Sequence, residues 1–228
     1  MTTEIIISLI TLIVLEIVLG IDNIIFISIL SDKLPVDKRK KARLVGLSLA
    51  LVTRLILLAG ISWIMKLDKT LFVVYDIAIS GKGLILIAGG LFLLYKSNKE
   101  IFEKTEDSHD EKPFVYKSFG KIIGQILVLD LVFSIDSIIT AVGLVDELWV
   151  MYVAVIVSIS IMLMVAGTIS SFITRHPSLK ILALCFLMMI GITLIAEGLA
   201  FHIPKQYIYF SMAFSFFVNI IQIRKTEK

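Results

Sequence analysis

The sequence has little of what a disulfide-bonded, zinc-binding or soluble protein needs. It contains one cysteine, Cys185, and three histidines in 228 residues. The single cysteine excludes a disulfide framework, a CxxC redox pair and a cysteine-based zinc site. Charged residues make up only 18% of the chain and apolar residues 58%, whereas soluble domains have about 25% and about 45–50%. This excess of apolar sequence indicates a membrane-embedded protein.

A signal peptide and a strong net charge are also missing. The start, Met1-Thr2-Thr3-Glu4, has no basic region, and the apolar run behind it is too long for a signal peptide. We therefore expect the first hydrophobic segment to remain in the protein. The net charge is only +3, from 22 basic and 19 acidic residues. That small excess does not indicate binding to nucleic acid.

Apolar runs long enough to cross a bilayer recur along the chain. Because about 20 apolar residues span a membrane as a helix, they predict an all-α polytopic membrane protein with about seven transmembrane helices in a single domain, 1–228. The predicted spans are 5–30, 44–65, 83–96 (extending toward 71–82), 122–145, 149–172, 180–199 and 207–223. All four prolines fall between the spans, which supports these boundaries.

Basic residues are concentrated in alternate connections. With the N-terminus outside, the segments inside hold 17 of the 22 lysines and arginines. Cytoplasmic loops of membrane proteins are rich in these residues, so the pattern predicts an N-outside, C-inside topology. The same residues are expected to contact anionic lipid headgroups. Residues 97–121 are predicted to form a cytoplasmic linker.

One twelve-residue motif occurs twice. Residues 14–25 read V-L-E-I-V-L-G-I-D-N-I-I, and residues 128–139 read V-L-D-L-V-F-S-I-D-S-I-I, identical at seven positions. In the predicted topology the two copies run in opposite directions across the membrane, which is typical of an inverted repeat. We therefore predict two three-helix repeats, 5–96 and 122–199, followed by a seventh helix at 207–223.

The motif places four carboxylates inside the membrane: Glu16, Asp22, Asp130 and Asp136. Each buried acid costs about 2.5–3.5 kcal/mol on insertion scales. Arg54, inside the second span, can neutralise only one of the four. The remaining negative charge requires protons or a bound cation, so these acids predict a cation site.

Neighbouring oxygen donors narrow the class of cation. Mg²⁺, Ca²⁺ and Mn²⁺ prefer oxygen ligands, whereas Zn²⁺ and Cu²⁺ prefer imidazole or thiolate. Arg54 is expected to balance charge, and Glu197, near the outer end of the sixth span, lies either on an ion path or at the interface as a hydrogen-bonded acid. The predicted metal ligands are Glu16, Asp22, Asn23, Asp130, Asp136 and Ser137.

The spacing of the acids leaves two local structures open. Six residues of a continuous helix correspond to about 600°, so Glu16 and Asp22 would not share a face. Gly20 and Ser134 lie between the acids of each copy. Either the helix opens there and brings both acids to one cavity, or Gly20 allows close helix packing.

At these two motifs the sequence resembles the TerC family of integral membrane proteins. The resemblance also covers G-G-L-F-L-L-Y-K at 89–96, R-H-P-S-L-K at 175–180 and H-I-P-K-Q-Y-I-Y-F at 202–210. It looks most like the short YgdQ-like branch, which lacks the CBS and CorC-like domains of longer relatives. This resemblance implies a multi-pass protein of the bacterial inner membrane that exports manganese, with the six motif residues as ligands and no prosthetic group.

The chain departs from that branch at two places. An acidic-Ile-Ser-x-Arg-Asp stretch is usual before the third span, where this chain has residues 78–83, A-I-S-G-K-G. A glutamate is common in the last span, where this chain has Asn219. A role of either acid in ion release would be missing here or carried by another residue.

Other functions remain open at this level. The cargo is either Mn²⁺ or Ca²⁺, because both accept oxygen ligands, and a non-transporting scaffold for metal or tellurite stress is an alternative. An aspartyl hydrolase is disfavoured because residues 19–22, L-G-I-D, lack the Gly-x-Gly-Asp pattern, so no enzymatic activity is predicted. Expected partners are the cation and membrane lipids, without nucleic acid. Gly120-x-x-x-Gly124 is typical of close helix contacts, within the fold or between protomers of a homo-oligomer.

Overall fold

Seven long helices dominate the computed structural model, which describes residues 2–74, 77–105, 118–145, 147–201 and 203–226. A short helix and a two-stranded hairpin separate the second long helix from the third, so the predicted all-α class is confirmed with one small addition. In chain order the elements are α1 (Thr2–Ser31), α2 (Val36–Ala59), α3 (Ile61–Leu67), β1 (Thr70–Val74), β2 (Ile77–Ser80), α4 (Gly81–Thr105), α5 (Phe119–Val142), α6 (Leu148–Arg175), α7 (Pro177–Gly198) and α8 (Lys205–Thr226).

Most of these helices have the length and composition of membrane spans. Within the described part of the chain, six helices are long and apolar enough to cross a membrane: α1, α2, α5, α6, α7 and α8. The apolar stretch of α4, by contrast, is short because Lys82 and Lys96 bound it. A polytopic helical membrane protein is thus confirmed. The count of seven spans and the orientation stay predictions.

Some predicted boundaries differ from the observed ones. Helix α2 begins before the predicted second span, 44–65, because its first turns from Val36 are a basic but helix-compatible segment. The predicted linker, 97–121, is helical at both ends, since α4 continues to Thr105 and α5 starts at Phe119. Residues 106–117 lie outside the described residues. Hydropathy alone misses such ends because charged residues can continue a helix beyond its apolar part.

The hairpin forms because the sequence before α4 favours strands. Strand β1 contains a run of Leu, Phe and Val, and large aromatic and β-branched side chains suit strands. It pairs with β2 in the antiparallel sense, with Val74 opposite Ile77. The second strand of the hairpin is followed directly by the first turn of α4.

The most extensive helix contacts join helices from different predicted repeats. These pairs are α4 with α7, α1 with α6, and α2 with α5. Exchanging α1 with α5, α2 with α6 and α4 with α7 maps this set of pairs onto itself. Two interlocked repeats would pack in this way, although the division into repeats stays a prediction.

Helices α4 and α7 approach each other through glycines spaced seven residues apart. A Cβ built at Gly83 would lie 2.6 Å from the carbonyl oxygen of Gly198, and one at Gly90 would lie 2.5 Å from that of Gly191. The two pairs run in opposite directions along the chain, so the helices are antiparallel. Their backbones touch where larger side chains would hold them apart.

A side chain at Gly90 is therefore expected to separate α4 from α7. We expect Gly90→Val to lower the free energy of unfolding by at least about 1–3 kcal/mol, because the methyl groups would meet a fixed backbone carbonyl. Gly167→Val, in α6, is the matched control, since a Cβ there meets nothing within 4 Å. Thermal unfolding in detergent measures both variants, and equal melting temperatures would contradict the expectation.

Gly120 and Gly124 do not form a helix contact within the described part of the chain. A Cβ built at either position has no neighbouring atom within 4 Å. The interpretation of Gly120-x-x-x-Gly124 as a close contact inside the fold is therefore wrong. Its use between protomers stays a prediction.

Ion pairs connect the helix ends on the predicted cytoplasmic side. Asp32, just after α1, accepts hydrogen bonds from Lys180 at 2.5 Å and from Arg39 at 3.4 Å. The neighbouring Lys33 pairs with Glu103 of α4 at 2.8 Å. Three of the basic residues that indicated the topology thus also link α1 to α2, α4 and α7.

Candidate cation-binding site

Arg54 of α2 joins the first acids of the two motif copies. Its Nη1 donates a hydrogen bond to Oε2 of Glu16 on α1, and its Nη2 lies 3.3 Å from Oδ1 of Asp130 on α5. Only 3% of Arg54 and 2% of Glu16 are exposed. The predicted charge balance by Arg54 therefore takes the form of a buried clamp between equivalent positions of the two copies.

Hydroxyl groups complete the surroundings of this clamp. Thr53 donates to Oδ2 of Asp130 at 3.2 Å. The Nε of Arg54 donates to Oγ of Ser134 at 3.1 Å, and that hydroxyl lies 3.4 Å from Oδ2 of Asp130. Buried ions are tolerated when such hydrogen bonds replace water. With both acids ionised, the clamp carries one net negative charge.

Asp136 lies among different partners from those of Asp130. It follows Asp130 by six residues on the same continuous helix, so its side chain lies on a different face from that of Asp130. Its Oδ1 lies 3.4 Å from Nζ of Lys82, in the first turn of α4, and the same Nζ lies 3.7 Å from Oε1 of Glu197 on α7. Among the motif acids whose side chains the structure describes, Glu16 and Asp130 therefore meet at Arg54, whereas Asp136 has a different basic partner.

Lys82 is a site residue that sequence reasoning missed, as it missed the cavity residues Thr193 and Tyr209. Its position just before the third predicted span gave it no role in the predicted site, whereas its side chain is only 15% exposed and lies between two acids. The available signal was a lone lysine between a short strand-like segment and an apolar run. That signal does not identify Asp136 and Glu197, which are 54 and 115 residues further along the chain.

The helices do not open between the acids. Both α1 and α5 are continuous through Gly20 and Ser134. A Cβ at Gly20 would clash with the side chain of Met162 on α6. Of the two open interpretations, close packing at Gly20 is thus confirmed and local opening is wrong. The hydroxyl of Ser134 instead serves Arg54.

A cavity of about 50 Å³ lies between α1, α5, α7 and α8. Oxygen-bearing side chains that line it are Asn23, Asp136, Ser137, Thr193 and Tyr209, with Arg54 at its wall. Asn23 and Ser137 occupy equivalent positions in the two motif copies. One water needs about 10–15 Å³ of such space, so the cavity has room for a cation together with water.

A second, smaller cavity lies on another side of Arg54. It measures about 20 Å³ and is lined by Asn23, Arg54 and Asp130 among apolar side chains. Asn23 and Arg54 therefore contact both spaces.

The described carboxylates alone do not form a metal cluster. Among the side chains that the structure describes, no three from His, Cys, Asp and Glu lie close enough together to hold a metal ion. The backbone of Asp22 belongs to α1, but its side chain lies outside the described residues, so its role stays a prediction. A cation at Asp136 would combine that carboxylate with amide, hydroxyl and water oxygens.

The positions that depart from the short TerC branch differ in their relation to the site. The segment 78–83 contains Lys82 and thus contributes directly to it. Asn219 on α8 accepts a hydrogen bond from Ser178 at 3.2 Å, near the start of α7. Because Glu197 lies at the other end of α7, Asn219 is remote from the cavity.

Comparison with known proteins gives close relatives. UPF0053 inner membrane protein YoaE of Escherichia coli K12 is 50% identical over 215 residues, which are 93% of this chain but 42% of YoaE. The chain thus spans less than half of that relative. A UPF0053 protein of Haemophilus influenzae is 51% identical over 220 residues, covering 96% of this chain and 93% of the relative. UPF0053 inner membrane protein YgdQ of Escherichia coli K12 is 48% identical over 218 residues, covering 96% and 92%.

A family model agrees with these relatives, whereas no solved structure matches the chain. The model, described as "Integral membrane protein TerC family", matches residues 1–227. Together with the names of the relatives and the apolar helices, this match confirms the predicted multi-pass location in the bacterial inner membrane. With nearly every residue covered, the chain belongs to the TerC family of integral membrane proteins.

Proposed function

We propose that this protein is a divalent metal cation transporter that exports Mn²⁺ across the inner membrane. The observation that carries the proposal is the cavity in which the two motif copies meet. Asn23 comes from the first copy, and Asp136 and Ser137 come from the second. The cation is the cargo, so the proposal includes neither an enzymatic step nor a prosthetic group.

The chemistry of the cavity supports an oxygen-preferring cation. Its polar lining supplies one carboxylate, one amide oxygen and three hydroxyl groups. These donors suit Mn²⁺, Mg²⁺ and Ca²⁺ better than Zn²⁺ or Cu²⁺. A site with few protein ligands also suits a cation that keeps part of its water shell, as Mg²⁺ usually does.

The packing of the helices supports transport by alternating access. Inverted repeats typically place the ion site at their interface and move as units on either side of it. Here the cavity lies between α1 of the first predicted repeat and α5 and α7 of the second. Motion of one repeat against the other would expose Asp136 to each side of the membrane in turn.

Purified protein in proteoliposomes provides the direct test. We expect Mn²⁺ flux above that of protein-free vesicles, measured with a trapped Mn²⁺-sensitive dye, with and without a pH gradient. Ca²⁺ and Mg²⁺ are measured in parallel. A Ca²⁺ flux exceeding the Mn²⁺ flux would reassign the cargo to Ca²⁺. Absence of flux for all three cations would overturn the transporter and favour a membrane scaffold.

A further inference from the structure

Lys82 places an ammonium group between two acids at the edge of the cavity. Its Nζ lies 3.4 Å from Oδ1 of Asp136 and 3.7 Å from Oε1 of Glu197. Asp136 lines the cavity, whereas Glu197 follows the cavity residue Thr193 by one helical turn on α7. The ammonium of Lys82 is thus close both to Asp136 in the cavity and to Glu197 beside it.

The backbone beneath Lys82 is held in place while its side chain is long and flexible. The N–H of Gly83 donates to Oγ of Ser80 at 3.0 Å, and Gly83 packs directly on Gly198 of α7. These contacts hold the start of α4 beside the end of α7. A lysine carries its charge on a flexible four-carbon chain. The ammonium can therefore shift between Asp136 and Glu197 without movement of the helix.

We propose that Lys82 is a tethered competitor of the transported cation. Without metal, the ammonium neutralises Asp136. An arriving divalent cation takes over Asp136, and repulsion between the two positive charges moves the ammonium toward Glu197. Its return to Asp136 expels the metal. The inference rests on the proposed function and adds a residue that sets affinity and release.

A purely structural ion pair makes a different prediction. If Lys82 only stabilised the contact of α4 with α5 and α7, its neutralisation would lower stability without tightening metal binding. A competitor lowers the affinity of the wild-type site, so its removal strengthens binding. Glu197 attracts the ammonium away from Asp136, so neutralising Glu197 has the opposite effect. Neutralising Lys82 and neutralising Glu197 are therefore expected to change the metal affinity in opposite directions.

The test measures Mn²⁺ binding to the purified full chain by calorimetry, together with Mn²⁺ flux in proteoliposomes. We expect Lys82→Gln to bind Mn²⁺ about tenfold more tightly, as expected for a close charge pair, and to transport it more slowly. Glu197→Gln is expected to bind about tenfold more weakly. Lys82→Arg, which keeps the charge, should restore affinity toward that of wild type. Lys66→Gln, an exposed lysine of α3, is the matched control.

The outcomes separate this inference from the proposed function. Unchanged or weaker Mn²⁺ binding by folded Lys82→Gln, with wild-type protein still transporting, would overturn the competitor alone. If Lys82→Gln does not fold, Glu197→Gln decides, because unchanged affinity there also overturns the inference. Wild-type protein that neither binds nor transports a divalent cation would overturn both proposals.

Discussion

Replacing Arg54 by methionine is expected to lower the free energy of unfolding by about 3–5 kcal/mol, the usual cost of removing one partner from a buried ion pair. The guanidinium contacts Glu16 and Asp130, both of which are nearly inaccessible to solvent. Methionine preserves helix propensity and much of the apolar volume. The loss of unfolding free energy therefore reflects the burial of two carboxylates without their cationic partner. Thermal or denaturant unfolding in detergent measures it.

A triple variant provides the rescue for this substitution, and a surface lysine provides the control. Adding Glu16→Gln and Asp130→Asn to Arg54→Met removes the unpaired negative charge and should restore most of the lost stability. Lys41→Met removes a positive charge from an exposed position of α2 and should change stability little. Wild-type stability of Arg54→Met would show that the clamp does not hold the helices together.

Replacing Asp136 by asparagine is expected to reduce Mn²⁺ flux at least about 10–100-fold, while the protein still folds. Even groups that only orient metal ligands typically cost that much when they are changed. Asparagine has nearly the same shape, and Lys82 keeps Glu197 as a partner within 3.7 Å. Flux into proteoliposomes is compared at equal amounts of folded protein, as judged by gel filtration.

Asp37→Asn supplies the matched control for this substitution. Asp37 lies in the first turn of α2, is exposed, and is outside the cavity. The same change of one carboxylate to an amide there should leave Mn²⁺ flux near the wild-type value. Flux of Asp136→Asn equal to that of the control would contradict a cargo site at Asp136.

The two expected results assign different duties to acids of one motif. Glu16 and Asp130 occupy equivalent positions, and both bind Arg54. Asp136 lines a cavity and pairs with Lys82. Substitutions in the buried clamp are therefore expected to lower stability, whereas substitution of Asp136 in the cavity is expected to lower Mn²⁺ flux.

Much of the protein was predictable from local sequence because membrane insertion depends on local composition. Runs of about 20 apolar residues and the burial cost of carboxylates predict the class of fold and identify the motif acids. Arg54 was recognisable as a charge-balancing residue because an isolated arginine within a span needs an acidic partner. The equivalence of the two motif copies was likewise evident from the amino-acid sequence alone.

Only the tertiary structure decided which charges meet. Lys82 reaches Asp136 and Glu197 because α4 packs closely against the end of α7 at Gly83. That contact depends on which helix faces meet, and not on residues adjacent in the sequence. Helix α1 is continuous through Gly20, which packs closely on Met162 of α6. The sequence by itself determined a membrane protein with buried acids, since transfer energies are local. The division into clamp and cavity needed the fold, because ion pairing depends on distances of a few ångströms between distant segments.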